Sequence, residues 1–296
     1  MSAPLRFGID LGGTKTEGII LDTTGATQFR ERIPTDSSSY DRVLDGIVAL
    51  YRTMRRAVDD APHTLGLGTP GAVSRRSGLL KNSNTVCLNG MPVATDLRTR
   101  LKRDFVLEND ANCFALAEAL HGAARGKRTV FGVIMGTGCG GGLVLDGAVH
   151  SGLQSIAGEW GHMSIDPNGP TCYCGERGCV ETFISGSGLE RRYVELTGAR
   201  RSAVEIVAAY RSGETDAIAA MGEFFARFGR ALANVIAVID PDIVVLGGGL
   251  SNIDELYTLG VDATARRVFS DALETPIVRH RLGDSAGVIG AALVGR

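Results

Sequence analysis

Short apolar runs that end in glycine-rich turns recur along the chain. Residues 7–22 read FGIDLGGTKTEGIILD, and residues 131–146 read FGVIMGTGCGGGLVLD. Each segment has an apolar run, a turn rich in glycine and a second apolar run, which predicts a β-hairpin with a permissive turn. The two segments align without a gap at an offset of 124 residues. Chance is the alternative because glycine is common here, but the matching pattern favours a duplicated domain.

Other segments predict helices and buried strands. Residues 217–239 have helical periodicity and end before Pro241, which predicts a long packed helix. The apolar residues 242–246 then predict a buried strand, and Gly247-Gly248-Gly249 predicts a turn followed by the start of a helix. Residues 106–112 read VLENDAN and predict the end of a short strand that leads into a helix.

Composition narrows the class of protein. The 296 residues suit one large domain or two ordinary ones, and a hydrophobic content of 44% is enough for real cores. The formal net charge is −2, and no Lys/Arg run exceeds short pairs such as Arg75-Arg76, so we expect no nucleic-acid surface. Because no apolar run approaches the roughly 18 residues of a membrane span and no signal segment is evident, we expect a soluble, cytoplasmic protein without a membrane partner.

One His and three Cys within eighteen residues predict a metal site. The set is His162, Cys172, Cys174 and Cys179, and it matches a tetrahedral, structural Zn²⁺ site with no position left for substrate. The alternative is a disulfide with a spare thiol, but clustered Cys in a cytosolic chain more often bind metal. The other cysteines, Cys87, Cys113 and Cys139, are scattered and are interpreted as small buried hydrophobes.

The glycine turns predict a phosphate-binding role. Residues 136–141 contain a literal G-x-G-x-x-G, but a strand follows where the dinucleotide fingerprint requires a helix. For any one of these turns a plain tight hairpin is the alternative. Three such turns, with Asp10, Thr14 and Lys15 in the first, favour a nucleotide cradle instead. Asp10 stands where its duplicate is Ile134, and a carboxylate beside phosphates is a natural holder of Mg²⁺.

Asp110 is the candidate general base. It lies at the junction of a predicted strand and helix, where the helix N-terminus favours an ionised carboxylate. Phosphoryl transfer to an alcohol needs a group that accepts the hydroxyl proton, and the rest is positioning and charge neutralisation. The alternative role for Asp110 is a helix N-cap.

These segments together resemble the ROK family of bacterial sugar kinases and sugar-responsive repressors. The resemblance runs nearly end to end and rests on Asp10-Leu11-Gly12-Gly13-Thr14-Lys15, Asn109-Asp110-Ala111-Asn112, Gly136-Thr137-Gly138, Gly158-Glu159-Trp160-Gly161-His162, the Cys172–Glu181 segment and Leu246-Gly247-Gly248-Gly249. It implies an α/β protein of the actin-like, ribonuclease-H-like ATPase fold, with two duplicated domains and a cleft between them for sugar and ATP. The limits that we expect are 1–114, completed by the C-terminal helix 286–296, and 115–285.

The resemblance also implies roles for individual residues. It makes Asp110 the catalytic base. The sugar-hydroxyl ligands that it implies are Asn84, Asn109, Asp110, Glu159, His162 and Glu181. The ATP-binding residues would be Asp10, Gly12, Gly13, Thr14, Lys15, Thr137, Gly138, Gly248 and Gly249, with Mg²⁺ accompanying ATP. His162 would give one ring nitrogen to zinc and the other to the sugar.

The sugar and the assembly are less constrained by the residues. The segments around Asn84 and Glu181 resemble most the fructokinase/mannokinase branch, so we expect fructose, with mannose and glucose, to be phosphorylated at the 6-hydroxyl. Asn82, Asn84 and Asn89 would offer hydrogen bonds to hydroxyls, which disfavours a bulky acetamido group. An N-acetylglucosamine or glucose kinase is the alternative. A silent sugar sensor of the repressor branch is disfavoured because Asp110 is retained and the Asp10 motif leaves no room for a preceding helix-turn-helix domain. The resemblance alone implies a homodimer formed through the second domain.

Overall fold

The structure, a computed structural model, describes residues 4–295 as a mixed α/β protein. The strands are β1 Leu5–Leu11, β2 Lys15–Leu21, β3 Thr27–Pro34, β4 His63–Thr69, β5 Ala72–Val73, β6 Leu80–Lys81, β7 Val106–Asn109, β8 Thr129–Met135, β9 Cys139–Leu145, β10 Ala148–Val149, β11 Ile243–Gly247 and β12 Ile277–Arg279. The helices are α1 Tyr40–Ala57, α2 Val93–Leu101, α3 Asp110–His121, α4 Glu181–Ile184, α5 Gly186–Thr197, α6 Ala203–Arg211, α7 Thr215–Ile239, α8 Leu259–Ala265 and α9 Ala286–Val294. Among the described residues, no helix has both the length and the apolar character needed to cross a bilayer.

The chain divides into two compact units. The first contains the described parts of Met1–His121 and Leu282–Arg296 together with Gly147–Ala157. The second contains Gly122–Asp146 and Gly158–Arg281. Each unit has its own hydrophobic core and its own central sheet.

The sheet of the first unit has the strand order β3-β2-β1-β4-β7. β2 is antiparallel to β1 and β3, whereas β4 and β7 run parallel to β1. Helix α1 covers one face, where a Cβ on Gly18 would lie 2.8 Å from the Met54 sulfur. Helix α9 covers the other, so close that a Cβ on Gly8 would lie 2.4 Å from the backbone nitrogen of Ala292. Small residues on β1 and β2 therefore let helices approach both faces.

The sheet of the second unit repeats this arrangement. The four strands that belong to the second unit follow the order β9-β8-β11-β12, with β9 antiparallel to β8 and with β11 and β12 parallel to it. Hairpin β8–β9 has the limits of β1–β2 displaced by 124 residues, and three residues connect the strands in each. The predicted hairpins and the duplication are therefore confirmed.

The structure also confirms the helix before the third glycine turn. Helix α7 ends at Ile239, where Asp240 adopts a positive φ of 46° ahead of Pro241. Strand β11 is fully buried and ends at Gly247. The element after it is a single 3₁₀ turn, Gly249–Asn252, and not the start of a longer helix. The expectation that a helix begins here was wrong. A second 3₁₀ turn of four residues, Asp254–Tyr257, follows the first.

Candidate functional site

The hairpin turn of the first unit is exposed at its tip and held at its base. Gly12 donates its backbone N–H to the carbonyl of Lys15 at 2.9 Å, and Gly13 and Thr14 are exposed. The Thr35 hydroxyl donates to the carbonyl of Gly12 at 2.8 Å, and its backbone N–H donates to the carbonyl of Thr14 at 3.0 Å. Thr35, the residue after β3, thus braces the turn, a role that the sequence pattern did not reveal.

Asp10 lies near the end of β1 beside this turn, and one oxygen of its carboxylate is enclosed. The Oδ1 atom is inaccessible to water and has no hydrogen-bond partner among the described residues. A Cβ on Gly68 would lie 2.8 Å from Oδ1, and one on Gly287 would lie 2.5 Å from Oδ2. Burial, followed by repulsion from Asp110 and Glu17, raises the pKa of Asp10 to about 7. A buried acceptor without a donor fits a position that a hydrated cation would complete.

Asp10 belongs to a row of charged side chains that crosses three strands of the sheet. Glu17 is opposite Asp10 on β2 and Arg32 is opposite Glu17 on β3, so the three side chains share one face. Glu17 is only 4% exposed, and its two oxygens accept hydrogen bonds from Arg30 and Arg32. The two guanidinium groups neutralise the buried Glu17 carboxylate. Alternation along β2 gave no signal for this buried charge.

The start of α3 separates the roles of Asn109 and Asp110. The Asn109 Oδ1 accepts the backbone N–H of Ala111 at 2.9 Å and of Asn112 at 3.2 Å. This is the geometry of an N-cap, so Asn109 caps the helix and Asp110 is its first residue. The Asn109 Nδ2 also donates to the carbonyl of Gly71 at 3.2 Å. The cap position considered for Asp110 therefore belongs to its neighbour, although Asp110 Oδ1 also accepts the backbone N–H of Ala111 at 2.8 Å.

Glu108 organises the same junction, although no role was predicted for it. Its Oε1 accepts from the Asn109 backbone N–H and from Asn112 Nδ2, both at 2.9 Å. Its Oε2 accepts from the Ser151 hydroxyl at 2.9 Å. Glu108 therefore joins the end of β7, the first turn of α3 and the segment that begins at Ser151.

The asparagines near Asn84 have structural tasks. Asn89 accepts the backbone N–H of Ser83 and donates to the carbonyl of Ser83, both at 2.8 Å. Asn82 has a positive φ of 60°, a conformation that asparagine tolerates well. The interpretation of Asn89 as a group offered to sugar hydroxyls was therefore wrong, because its side-chain oxygen and nitrogen both bond to Ser83. For Asn82 the interpretation stays a prediction. Asn84 is exposed beside Thr85, whose buried hydroxyl has no partner among the described residues.

The second unit brings its two glycine turns together. The turn Gly136-Thr137-Gly138 is closed by a backbone hydrogen bond from Gly136 to Gly138 at 2.9 Å. Gly248 has a φ of 78°, and a Cβ there would lie 2.4 Å from the carbonyl oxygen of Met135. A Cβ on Gly249 would meet nothing within 4 Å. Backbone at both turns is thus open to a ligand.

The His/Cys cluster is assembled as predicted. One ligand atom from each of His162, Cys172, Cys174 and Cys179 lies within 4.8 Å of the others. The sulfurs of Cys174 and Cys179 are 3.6 Å apart, far beyond the roughly 2.05 Å of a disulfide. Tetrahedral Zn–S bonds of about 2.3 Å place sulfurs about 3.8 Å apart, so the donor set fits Zn²⁺. The turns use positive φ at the expected glycines, 97° at Gly175 and 65° at Gly178.

The remaining cysteines are only partly as expected. Cys113 and Cys139 are buried, and burial raises the pKa of each thiol well above its usual value. Cys87 is half-buried, so its interpretation as a buried hydrophobe was wrong. It lies in the 3₁₀ turn Val86–Leu88, between the exposed Val86 and the buried Leu88.

Glu181 connects the metal cluster to a glycine turn. It follows Cys179 by two residues, and its Oε2 accepts the backbone N–H of Cys139 at 2.8 Å. A Cβ on Gly138 would lie 2.6 Å from the same oxygen, so only glycine permits this contact. Glu159 is half-buried and immediately precedes the 3₁₀ turn Trp160–His162.

The two nitrogens of His162 face different groups. Nδ1 is 3.6 Å from the Cys172 sulfur, whereas Nε2 is 3.0 Å from the hydroxyl of Tyr173. Tyr173 was not among the predicted site residues, because nothing in its position between two cysteines indicates where its side chain points.

The structure collects the predicted residues into two groups. The first unit holds Asp10, Gly12, Gly13, Thr14, Lys15, Asn84, Asn109 and Asp110. The second holds Thr137, Gly138, Glu159, His162, Cys172, Cys174, Cys179, Glu181, Gly248 and Gly249.

Comparison with known proteins identifies the family. The chain is 38% identical to an N-acetyl-D-glucosamine kinase of Haemophilus influenzae, covering 97% of this chain and 98% of that one. Its structure is similar to a ROK hexokinase from Thermus thermophilus, with a TM-score of 0.89, 33% identity and coverage of 98% and 97%. It is also similar to a ROK glucokinase from Streptomyces griseus in complex with glucose and AMPPNP, with a TM-score of 0.82, 26% identity and 99% of each chain covered. These similarities confirm the predicted actin-like fold. Because the model of the ROK family also matches residues 6–296, the chain belongs to the ROK family.

Proposed function

We propose that the protein transfers the γ-phosphoryl group of ATP to the 6-hydroxyl of N-acetyl-D-glucosamine. The observation that carries the choice of sugar is the end-to-end similarity to the Haemophilus influenzae enzyme. Fructose, the sugar that the sequence favoured, has no such support. One premise of that preference is also weakened, because the Asn89 side chain is bonded to the backbone of Ser83.

Asp110 would accept the proton of the attacking hydroxyl. Its position as the first residue of α3 supports this role, because Asn109 supplies the cap and the helix N-terminus favours the carboxylate. A positioned base of this kind contributes about 10²–10⁴-fold to the rate. Asn84 and Asn109 in the first unit, and Glu159, His162 and Glu181 in the second, are proposed to bind the sugar hydroxyls.

The glycine turns would hold the phosphates of ATP. The residues proposed for this are Gly12, Gly13, Thr14, Lys15, Thr137, Gly138, Gly248 and Gly249. Mg²⁺, when bound with ATP, supplies neutralisation of phosphate charge, and Asp10 is the carboxylate placed to hold it. The unpartnered Oδ1 of Asp10 supports this assignment.

Zn²⁺ would be held by His162, Cys172, Cys174 and Cys179 in a structural site. The close approach of four suitable ligand atoms supports it. With all four positions filled by protein, the ion would order the loop and take no part in the phosphoryl transfer.

A coupled assay of ADP release tests the proposed reaction. The panel is N-acetylglucosamine, N-acetylmannosamine, glucose, mannose and fructose, each with Mg-ATP, and Asp110→Asn serves as the inactive control. We expect the highest kcat/KM for N-acetylglucosamine. A clear preference for fructose would restore the earlier expectation, and no stimulation by any sugar would refute the kinase.

Glucose is the second candidate acceptor. The Thermus thermophilus hexokinase at 33% identity and the Streptomyces griseus glucokinase bound to glucose favour it. The same panel separates the two, since a glucose kinase would show kcat/KM for glucose above that for the acetamido sugar.

A homodimer formed through the second domain is proposed on the family resemblance alone. Light scattering at micromolar concentration would give twice the chain mass of 31.1 kDa if this is right. A monomer mass would dismiss it.

A further inference from the structure

Tyr173 contacts the imidazole at the edge of the metal cluster. Its hydroxyl is 3.0 Å from His162 Nε2, and the two rings meet edge to face at 5.1 Å between centroids. The side chain is nevertheless 70% exposed. It is therefore held by this contact and not by packing around it.

The metal cluster decides which partner donates in this hydrogen bond. Nδ1 of His162 faces the Cys172 sulfur, so Nδ1 is the nitrogen available to a metal. A neutral imidazole that gives Nδ1 to a metal carries its hydrogen on Nε2. His162 then donates and the oxygen of Tyr173 accepts. A sugar hydroxyl oxygen would accept this same N–H, and one N–H serves one well-aligned acceptor at a time.

The Tyr173 hydroxyl lies among the groups proposed to bind the sugar. Its oxygen is 3.0 Å from Nε2 of His162, which is one of those groups. A tyrosine hydroxyl, like a sugar hydroxyl, can accept a hydrogen bond from this nitrogen. Chemically, it resembles a sugar hydroxyl in the same surroundings.

We propose that Tyr173 is a specificity-determining residue, whose hydroxyl occupies on His162 Nε2 the place that one acceptor hydroxyl takes when the sugar binds. The inference rests on the proposed sugar kinase function. The exposed ring leaves Tyr173 room to move aside, and the sugar then replaces one hydroxyl with another. An acceptor without that hydroxyl cannot make the exchange and meets a filled position.

Removal of the tyrosine hydroxyl should strengthen sugar binding. The net value of one such hydrogen bond corresponds to about two- to tenfold in an equilibrium constant. We expect Tyr173→Phe to lower KM and Kd for N-acetylglucosamine by this factor. kcat should not change, because Tyr173 is displaced both in the bound state and in the transition state.

The experiment compares wild type, Tyr173→Phe and Tyr193→Phe. Tyr193 lies in the same unit and its hydroxyl donates to Glu214, so its variant controls for loss of a bonded tyrosine hydroxyl. Steady-state kinetics give kcat and KM, calorimetry gives the sugar Kd without nucleotide, and metal analysis gives zinc per chain. The sugars are N-acetylglucosamine and its 1-, 3- and 4-deoxy derivatives.

Five results separate the inference from its rivals. The expected one is a lower KM and Kd in Tyr173→Phe with unchanged kcat and zinc, and loss of this advantage with one deoxy sugar. A higher KM would mean that Tyr173 itself binds sugar, and reduced zinc would mean that it only supports the metal ligand. Either result, or an unchanged Kd, overturns the inference while leaving an active wild type as a kinase. A wild type inactive on every sugar overturns the proposed function and this inference together.

Discussion

Asn109 and Asp110 are adjacent residues with separate tasks. The Asn109 side chain caps α3 and also bonds to the carbonyl of Gly71, so its oxygen and nitrogen are both used inside the first unit. Asp110, the next residue, carries the proposed chemistry. Substitution of Asn109 should therefore lower stability in addition to any effect on sugar binding, whereas substitution of Asp110 should lower the rate.

We expect Asp110→Asn to lower kcat about 10²–10⁴-fold while the melting temperature stays within about a degree. Asn109→Ala should instead lose the cap and lower the free energy of unfolding by about 0.5–2 kcal/mol. Steady-state assays and urea unfolding of both variants measure this. A near-normal rate in Asp110→Asn would show that its carboxylate is not the base.

Asp10 should make stability depend on pH. Its folded pKa of about 7 lies above the ordinary 3.8, so the folded protein retains a proton that the unfolded chain has released. The stability from this proton is complete below pH 3.8 and declines until the pH passes about 7. Asp10→Asn removes the titration, so its stability relative to wild type should rise between pH 5 and pH 8.

Urea unfolding of wild type, Asp10→Asn and Asp104→Asn at pH 5, 6, 7 and 8 tests this. Asp104 is fully exposed, so its variant should follow the wild-type curve. If the stabilities of wild type and Asp10→Asn change with pH in parallel, the raised pKa assigned to the Asp10 carboxyl is wrong.

The sequence alone reveals a functional residue when its chemistry breaks the local pattern. It does not reveal a residue whose role depends on contacts with distant parts of the chain. Asp10 stood out because its duplicate is Ile134, and the cysteines stood out by spacing. Glu108 and Tyr173 gave no such signal. Their roles depend on where Ser151 and His162 lie after folding, and contacts of that kind have no local pattern.

At the scale of elements, α9 is docked by backbone contacts that only small residues allow. A Cβ on Gly66 of β4 would lie 1.9 Å from the carbonyl of Ala291, and one on Gly290 would lie 1.8 Å from the carbonyl of Cys113. The glycines therefore set the distance of α9 from the sheet and from α3.

We expect Gly66→Ala to lower the free energy of unfolding by about 3 kcal/mol or more, since neither backbone can yield without moving the helix. Gly46→Ala is the matched control, because it lies in α1 with nothing within 4 Å of an added Cβ. That variant should gain about 0.5–1 kcal/mol from helix propensity. Chemical denaturation measures both, and equal effects would refute the tight docking.

The metal loop gives a second prediction for an element. Wild type should contain one zinc per chain, and Cys179→Ser should lose it and unfold at a lower temperature, because a fully buried ligand is removed. Cys87→Ser, outside the cluster, should keep both zinc and melting temperature. Metal analysis with thermal unfolding tests this, and metal-free wild type would refute the site.

Hairpins and long helices followed from local pattern, whereas short elements did not. The two hairpins had apolar alternation and glycine turns, and α7 had full helical periodicity. The 3₁₀ turn after Gly248 was mistaken for the start of a helix, because its glycine and leucine are compatible with either. Its end is decided by the chain that follows.

At the scale of the molecule, duplication has preserved topology and changed charge. Both sheets place an antiparallel hairpin beside two parallel strands. Asp10 and Glu17 of the first hairpin correspond to Ile134 and Gly141 of the second. The first hairpin thus carries two acidic groups. In the second hairpin, the glycine at the corresponding position lets Trp160 approach Gly141 closely.

The first unit needs both ends of the chain. Val288 and Ala292 of α9 pack against Ile19 and Leu21, and Glu118 accepts the backbone N–H of Leu282 at 2.8 Å. We expect a chain that ends at residue 281 to lose the fold of the first unit. Hydrogen exchange would show loss of protection in β1 and β4, and retained protection there would contradict this.

The hydrogen bond from Cys139 to Glu181 has a thermodynamic consequence. It ties the segment that holds the metal ligands to the turn that is proposed to hold phosphate. Zinc would order one side of this hydrogen bond and nucleotide the other, so the binding of one ligand affects the binding free energy of the other. Such coupling is reciprocal. Zinc should therefore raise the affinity for nucleotide, and nucleotide should raise the affinity for zinc by the same factor. A low concentration of either ligand would then lower the affinity of the protein for the other.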